Sequence, residues 1–191
     1  MQNFQNIWNN KNLIETIQKG GVVVMPTDTI YGICGRAEDK NTVERIYKIR
    51  KRNPEKPCII LIGDISELRK FSINITDEQR KILESLWNIK RATSIVLDCL
   101  DKKLKYLHRG TNSLAFRIPT SKILQNLLLK TGPLIAPSAN TEGNPPSKNI
   151  LGAKNYFGNE VDLYIDGGDI FGQASKIIRL HSNGTFSIIR E

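Results

Sequence analysis

The stretch GVVVMPTDTIYG, residues 21–32, decides the fold because it joins an apolar run to a polar one. The apolar residues Val22 to Met25 follow one another without a break, which indicates a strand. Pro26 lacks a backbone N–H and should end that strand. The polar run that follows, PTDTIYGICGRA, is predicted to be a loop at the strand end, where α/β folds gather their ligand contacts.

Helices are predicted on both sides of this stretch. Apolar residues recur at helical spacing over residues 13–17, and Gly20 and Gly21 should stop that helix. Asp39 can cap a second helix, and Thr76 with Gln79 forms a capping-box pattern for a third. A further helix is expected over residues 123–129.

Strands account for most of the remaining apolar runs, namely CIILI, TSIVL, SLAFRI, PLIA, VDLYID, ASKIIRL and TFSIIR. They alternate with helices through the first two-thirds of the chain and then follow one another directly. This order predicts an α/β (α+β) fold, in which a twisted, mixed, open sheet is flanked by helices. We expect residues 1–191 to form a single domain.

The chain carries a formal net charge of +9, which favours an anionic ligand or partner. The charge is concentrated between Arg45 and Lys56, where six basic residues face the single acid Glu55. A solvated helix face, with cations opposing the helix dipole, would explain the same run. Charge alone does not separate these two interpretations.

Other features of the composition limit the possible functions. The three cysteines, Cys34, Cys58 and Cys99, lack the C-x-x-C spacing of structural zinc sites, so no protein-bound metal is predicted. Buried neutral thiols are expected for Cys58 and Cys99, whereas a catalytic role for Cys34 stays open. No apolar run is long enough to cross a bilayer and no signal peptide is visible, so we expect a cytoplasmic protein.

Three polar stretches follow predicted strand or helix ends: PTDTIYG (residues 26–32), RKRNPEKP (residues 50–57) and PSANTEGNPP (residues 137–146). If they converge on one cleft, they supply cations for phosphate and short hydroxyl or amide groups for a small polar substrate. Each alone is compatible with an ordinary turn or a solvated face. Their occurrence together favours a binding site.

In this order, with LAFRIP, DGG and the final IIR, the motifs resemble those of the threonylcarbamoyl-adenylate (threonylcarbamoyl-AMP) synthases, the YrdC-like proteins. The resemblance covers almost the whole chain and implies a YrdC-like fold. It also implies contacts between the substrate threonine and four residues: Thr29, Tyr31, Arg117 and Ser175. Contacts with ATP are implied for eight residues, of which Arg52 and Lys56 would also be catalytic: Arg50, Arg52, Lys56, Thr93, Ala136, Ser138, Asn140 and Arg190.

The chain departs from the family pattern in two places. In the basic motif, Arg50 stands where lysine is usual and Asn53 replaces a proline. Because lysine restores the family's residue, we expect an Arg50→Lys variant to stay active. Residues 87–93, WNIKRAT, lack the proline and glycine of the usual W-P-G-P-x-T. The loop before Thr93 should therefore have a different shape.

The reaction implied by the resemblance condenses L-threonine, bicarbonate and ATP into L-threonylcarbamoyladenylate, with diphosphate and water released, which makes the chain a nucleotidyltransferase. Mg²⁺ would accompany ATP. The product would serve formation of N6-threonylcarbamoyladenosine (t6A37) in tRNA. Since neither a second domain nor an RNA-reading motif is visible, we expect downstream tRNA threonylcarbamoyl transferase proteins to complete the transfer, and tRNA itself to bind only weakly.

Two other functions would explain part of the same sequence, and each is distinguishable from a synthase. A non-catalytic module that binds double-stranded RNA or tRNA would explain the charge, but the sequence shows no RNP or KH signature and no run of stacking aromatics. A carbamoyl-adenylate-handling domain of hydrogenase-maturation proteins would share the motifs. Such proteins carry additional zinc-binding and acylphosphatase segments, which are not found in this sequence.

Overall fold

The computed structural model describes residues 5–191, with side chains described from residue 7 onward. The α-helices are α1 (Gln5–Trp8), α2 (Lys11–Gln18), α3 (Lys40–Ile49), α4 (Asp77–Trp87), α5 (Lys105–His108), α6 (Lys122–Thr131) and α7 (Ile150–Phe157). Short 3₁₀ helices span Ile65–Phe71 and Lys102–Leu104. The strands are β1 (Val23–Pro26), β2 (Tyr31–Arg36), β3 (Ile59–Leu61), β4 (Thr93–Asp98), β5 (Ser113–Arg117), β6 (Leu134–Ile135), β7 (Leu163–Tyr164), β8 (Lys176–Leu180) and β9 (Phe186–Arg190).

The strands form one nine-stranded sheet in the order β7-β1-β2-β6-β3-β5-β4-β8-β9. The pairs β1/β7, β3/β5 and β4/β8 are parallel, and the other neighbouring pairs are antiparallel. This architecture confirms the prediction of a twisted mixed sheet flanked by helices. Among the described residues, no helix is both long enough and apolar enough to cross a membrane.

The core lies on both faces of the sheet, and β1 shows why its sequence is apolar throughout. Val22 and Val24 are buried in one apolar cluster, whereas Val23 and Met25 are buried in another on the opposite face. Successive strand residues point to opposite faces, so a strand between two helical layers needs no polar positions. The predicted strand is therefore present, and it packs against apolar side chains on both faces.

The predicted helix starts are present. Asp39 Oδ1 accepts hydrogen bonds from the backbone N–H groups of Asn41, at 2.9 Å, and Thr42, at 3.4 Å. Thr76 and Gln79 form a reciprocal capping box, with side chain to backbone distances of 3.1 and 3.0 Å. Gly20, with φ of +80°, terminates α2 in the left-handed conformation that glycine adopts most readily.

The loop prediction for PTDTIYGICGRA was wrong over its second half. Tyr31–Arg36 forms β2, which pairs antiparallel with β1, so the loop shrinks to a hairpin turn over residues 27–30. Thr27 closes this turn because its hydroxyl donates to Ile30 O at 2.7 Å. Local polarity indicated a loop, but the tertiary burial of both faces of β2 overrode it. Neither α7 nor the 3₁₀ helix Ile65–Phe71 was predicted.

Candidate active site

A cavity of about 270 Å³ lies between the hairpin turn, the basic loop (residues 50–57) and the SAN loop (residues 137–146). The three polar stretches therefore converge, as the sequence suggested. A fourth segment, the glycine loop (residues 166–175), and the end of β9 complete the wall. The residues that line the cavity are Thr27, Thr29, Ile30, Gly32, Arg52, Pro57, Cys58, Ile59, Ala136, Pro137, Ser138, Pro146, Ala174, Ser175, Ile177 and Arg190.

Six of the predicted site residues lie on this cavity wall: Thr29, Arg52, Ala136, Ser138, Ser175 and Arg190. The other six predicted residues do not line the cavity. Tyr31, Arg50, Arg117 and Asn140 are buried and hold the loops in place through hydrogen bonds. Lys56 is exposed, and Thr93 is buried in β4.

Thr29 is held by a buried ion pair behind the hairpin turn. Arg117 Nη1 lies 2.8 Å from Asp28 Oδ1 and donates to Thr29 Oγ1 at 3.2 Å. The second oxygen of Asp28 accepts from Thr120 N at 3.0 Å. Burial lowers the pKa of Arg117, and the neighbouring Asp28 carboxylate opposes that effect. The ion pair thus orients Thr29 through the hydrogen bond from Arg117. Of these three residues, Thr29 lines the cavity and the two charged ones do not.

The hydrogen bonds around Thr29 define the polarity of its hydroxyl. Thr27 Oγ1 gives its proton to Ile30 O, which can only accept. In the Thr27–Thr29 hydroxyl pair, at 3.0 Å, Thr29 is therefore the donor. Because its oxygen also accepts from Arg117, one lone pair is left for a ligand. Thr29 is arranged to accept a hydrogen bond, as an amine or hydroxyl of an amino acid would offer.

The glycine loop is fastened against the same turn. Tyr31 Oη donates to Gly168 O at 2.9 Å and accepts from Gly167 N at 2.8 Å. Burial raises the pKa of Tyr31, which keeps the phenol protonated. Gly172 lies directly on the turn, since a Cβ there would be 1.9 Å from Thr29 O. Tyr31 therefore acts behind the cavity, by anchoring the loop that leads to Ser175.

The Ser175 end of the glycine loop is joined to β4 and β9. Ser175 Oγ lies 2.8 Å from Ser94 Oγ, and Ser175 O accepts from Arg190 Nε and Nη2 at 3.2 and 2.7 Å. Arg190 is thereby held with its guanidinium at the cavity. Thr93, one residue before Ser94, donates to Arg91 O at 3.1 Å and is not among the lining residues.

Arg52 is the cation that the basic loop brings to the cavity. Its guanidinium donates to Lys56 O at 3.1 Å and to Pro57 O at 3.0 Å, so the loop curls around its own side chain. The guanidinium also lies 5.8 Å from the ring centre of Tyr47. Lys56 Nζ points to Glu142 instead, at 3.0 Å, with 61% of its side chain exposed.

Arg50 joins the basic loop to the SAN loop. Its guanidinium is buried and donates to Asn140 O at 2.9 Å, to Asn140 Oδ1 at 3.2 Å and to Ser138 Oγ at 3.3 Å. Asn140 in turn donates to Thr141 O and Asn144 O, which shapes the rest of the loop. Arg50 and Asn140 therefore position Ser138 on the cavity wall and do not themselves line it.

The cysteines are free and buried, as predicted for Cys58 and Cys99. Burial raises the pKa of Cys34 to about 12, although the charge of Arg117 opposes it. Because the thiolate is the reactive form, this thiol is a poor nucleophile at neutral pH. Within residues 5–191, no three His, Cys, Asp or Glu side chains are grouped in a way that could hold a metal ion.

Sequence reasoning did not assign roles to Thr27, Asp28 or Glu142. Thr27 and Asp28 lie within the quoted PTDTIYG motif, so their position was a usable signal. Glu142 lies in the SAN loop, and its two carboxylate oxygens contact the basic loop. An acid opposite a basic run is recognisable only when the folding of the two loops is known.

Comparisons with known proteins identify the family of this chain. Residues 15–191 match the Sua5/YciO/YrdC family, which carries the description "Telomere recombination". The threonylcarbamoyl-AMP synthase of Pyrococcus abyssi is 30% identical over 167 residues, which is 86% of this chain and 48% of that protein. The chain therefore spans about half the length of this relative.

Solved structures show the same fold. Sua5 of P. abyssi, complexed with L-threonine, superposes with a TM-score of 0.80 at 28% identity, over 91% of this chain and 51% of that one. Escherichia coli YciO gives a TM-score of 0.79 at 27% identity, over 98% of this chain and 89% of that one. With the family match over nearly all of its length, the chain belongs to the Sua5/YciO/YrdC family.

Proposed function

We propose that the chain is a threonylcarbamoyl-AMP synthase, a nucleotidyltransferase that uses L-threonine, bicarbonate and ATP. The observation that carries the proposal is one cavity containing two kinds of group. Thr29 and Ser175 offer hydroxyls suited to a small amino acid, and Arg52 and Arg190 offer guanidinium groups suited to phosphates. The name of the P. abyssi relative, threonylcarbamoyl-AMP synthase, and the L-threonine bound to Sua5 support threonine and ATP as substrates.

The chemistry requires positioning and charge neutralisation more than acid–base catalysis. The free amine of threonine and bicarbonate give an N-carboxylate with loss of water. One carboxylate oxygen attacks the α-phosphorus of ATP, the bond to the β-phosphate oxygen breaks, and pyrophosphate leaves with the electron pair. Because the nucleophile is already anionic, the cavity needs cations and oriented hydroxyls, which stabilise charge spread over the transferring group.

In this proposal Arg52 of the basic loop and Arg190 of β9 neutralise phosphate charge. Thr29 accepts a hydrogen bond from the amine or the side-chain hydroxyl of threonine. Mg²⁺ enters as part of the MgATP substrate and supplies further charge neutralisation. The residues that line the cavity within the described chain include no carboxylate, so the phosphates would carry most of the ligands of that ion.

The test is pyrophosphate release from MgATP with threonine and bicarbonate omitted in turn. We expect release to require both, and mass spectrometry to detect the adenylate. Valine in place of threonine should support at least about tenfold less release, because its methyl group leaves the polar groups of the pocket unpaired. Release that ignores both omissions, or that treats valine and threonine alike, contradicts the proposal.

The adenylate is the proposed end product of this chain, with separate tRNA threonylcarbamoyl transferase proteins completing the modification of tRNA. Purified protein incubated with ATP, bicarbonate, threonine and unmodified tRNA should yield adenylate without modified nucleoside. Adding a transferase preparation should then produce threonylcarbamoyladenosine. Formation of that nucleoside by the chain alone would show that its activity extends to the transfer.

A further inference from the structure

Glu142 connects the SAN loop to two cations of the basic loop, Arg52 and Lys56. Its Oε1 lies 3.0 Å from Lys56 Nζ, and its Oε2 lies 3.7 Å from Arg52 Nη1. The same Oε2 accepts from Asn53 N at 3.0 Å, and Glu142 N donates to Arg50 O at 2.9 Å. One acidic residue of the SAN loop therefore contacts four residues of the basic loop: Arg50, Arg52, Asn53 and Lys56.

These contacts have three effects. The backbone hydrogen bonds fix the distance between the two loops, and the carboxylate holds two side chains in place before any ligand arrives: Arg52, which lines the cavity, and the exposed Lys56. It also removes one unit of positive charge from a pair of cations that are suited to phosphate. Lys56 has three N–H donors and uses one on Glu142, so the others stay available.

The carboxyl group of Glu142 is ionised at neutral pH. Burial by itself would raise the pKa of its carboxyl group. The hydrogen bond from Lys56, the hydrogen bond from Asn53 N and the charges of Arg52 and Lys56 together outweigh that effect and lower the pKa. The residue therefore acts as a permanent anion beside the cavity.

We propose that Glu142 is a positioning residue that presents Arg52 and Lys56 to the phosphates of ATP and weakens their hold on the departing pyrophosphate. The inference rests on the proposed function. Pyrophosphate carries several negative charges, and the cations that help it to leave also retain it. A carboxylate within 4 Å of both cations repels any phosphate bound to them and so favours release.

The test is direct binding of inorganic pyrophosphate, measured by titration calorimetry on the full chain. Glu142→Gln keeps an acceptor for Asn53 N but removes the charge, and should bind pyrophosphate about three- to tenfold more tightly, with a steeper salt dependence. Glu142→Asp keeps the charge and should stay within about twofold of the parent. The matched control is Glu55→Gln, since Glu55 is exposed in the same loop and its side chain contacts neither cation.

A residue that only braces the loops would give unchanged or weaker binding on substitution, not tighter binding. Pyrophosphate affinity of Glu142→Gln that equals the parent's or falls below it therefore overturns the proposal. Equal tightening in Glu55→Gln overturns it as well, because net charge would then explain the effect. The assay contains neither threonine nor bicarbonate, so failure of the synthase proposal, seen as release that needs neither, is a separate result.

Discussion

Arg50 and Arg52 are two residues apart but have different surroundings. Arg50 is buried and makes three hydrogen bonds to Ser138 and Asn140, whereas Arg52 lines the cavity. The chain changes direction between them, because α3 ends at Ile49 and Lys51 adopts a left-handed conformation with φ of +51°. Two guanidinium groups in one motif therefore have separate functions in our proposal: one shapes the SAN loop and the other meets phosphate.

The Arg50→Lys variant, expected from sequence to stay active, should lose activity once this geometry is considered. A lysine ammonium cannot reproduce the planar fork that bonds Asn140 O, Asn140 Oδ1 and Ser138 Oγ together. We expect kcat/KM for ATP to fall about tenfold, corresponding to one or two lost charge-assisted hydrogen bonds. Steady-state pyrophosphate release measures this. Parental kinetics in the variant would show that the fork is dispensable.

Replacing Arg52 with alanine should have a larger effect because the lost group lies at the cavity itself. We expect Arg52→Ala to lower kcat for pyrophosphate release about 100-fold or more, the usual result of deleting a charge-stabilising donor. Lys48→Ala is the control, since Lys48 is exposed on α3 within the same basic run. If both variants turn over like the parent, the basic run is only a solvated helix face.

Among the elements, the glycine loop depends on one close approach. Gly172 has no room for a side chain because a Cβ would overlap Thr29 O. We expect Gly172→Ala to move the loop away from the hairpin turn and to raise KM for threonine about tenfold or more. Gly152→Ala is the control, because a Cβ at Gly152 has room: its nearest neighbour is Ser147 Oγ, at 3.4 Å. Gly152 lies in α7, and alanine should stabilise that helix. An unchanged KM for threonine in the Gly172→Ala variant would show that the glycine loop does not contribute to threonine binding.

Helix α3 is tied to the sheet by Asp162. This carboxylate accepts from Val22 N at 2.7 Å and from Arg45 Nη2 at 2.9 Å, and the hydrogen bond from Arg45 lowers its pKa despite some burial. Because the folded pKa lies below the unfolded value of about 3.9, this stabilisation is present above that pH and is lost as pH falls through the folded pKa.

We therefore expect Asp162→Asn to reduce the free energy of unfolding by about 1 kcal/mol at pH 7, a modest figure because the pair is partly exposed. The difference from the parent should shrink below pH of about 4. Urea unfolding of the parent and the variant, at pH 7 and at a pH below about 4, measures this difference in the free energy of unfolding. A difference that is the same at both would mean that the charge of Asp162 does not contribute.

At the scale of the whole molecule, the net charge of +9 predicts salt-sensitive association with tRNA. Raising the salt concentration from about 50 to about 200 mM should weaken binding at least about tenfold, which corresponds to about two phosphate contacts. Fluorescence anisotropy of labelled tRNA measures the slope. Binding that does not vary with salt would exclude phosphate contacts as its basis.

The sequence by itself determined the mixed α/β architecture, most helix starts and the three stretches that converge on the cavity. Local chemistry was sufficient for these features: the unbroken apolar run at Val22, the Asp39 cap and the Thr76 capping box act over a few residues. The family motifs also located six residues of the cavity wall. Periodicity and capping are local signals, so they can be recognised in the sequence without knowledge of the fold.

Only the tertiary structure decided which motif residues line the cavity and which support it from behind. β2 was taken for loop because its polar neighbours outweighed the burial that β1, β6 and the helices impose on it. Arg117 and Arg50 are charged, yet they are buried, because Asp28 and Asn140 meet them from segments more than 80 residues away in sequence. Glu142 reaches the basic loop across a similar separation. Such pairings depend on how distant segments pack, and short-range sequence patterns carry no information about that.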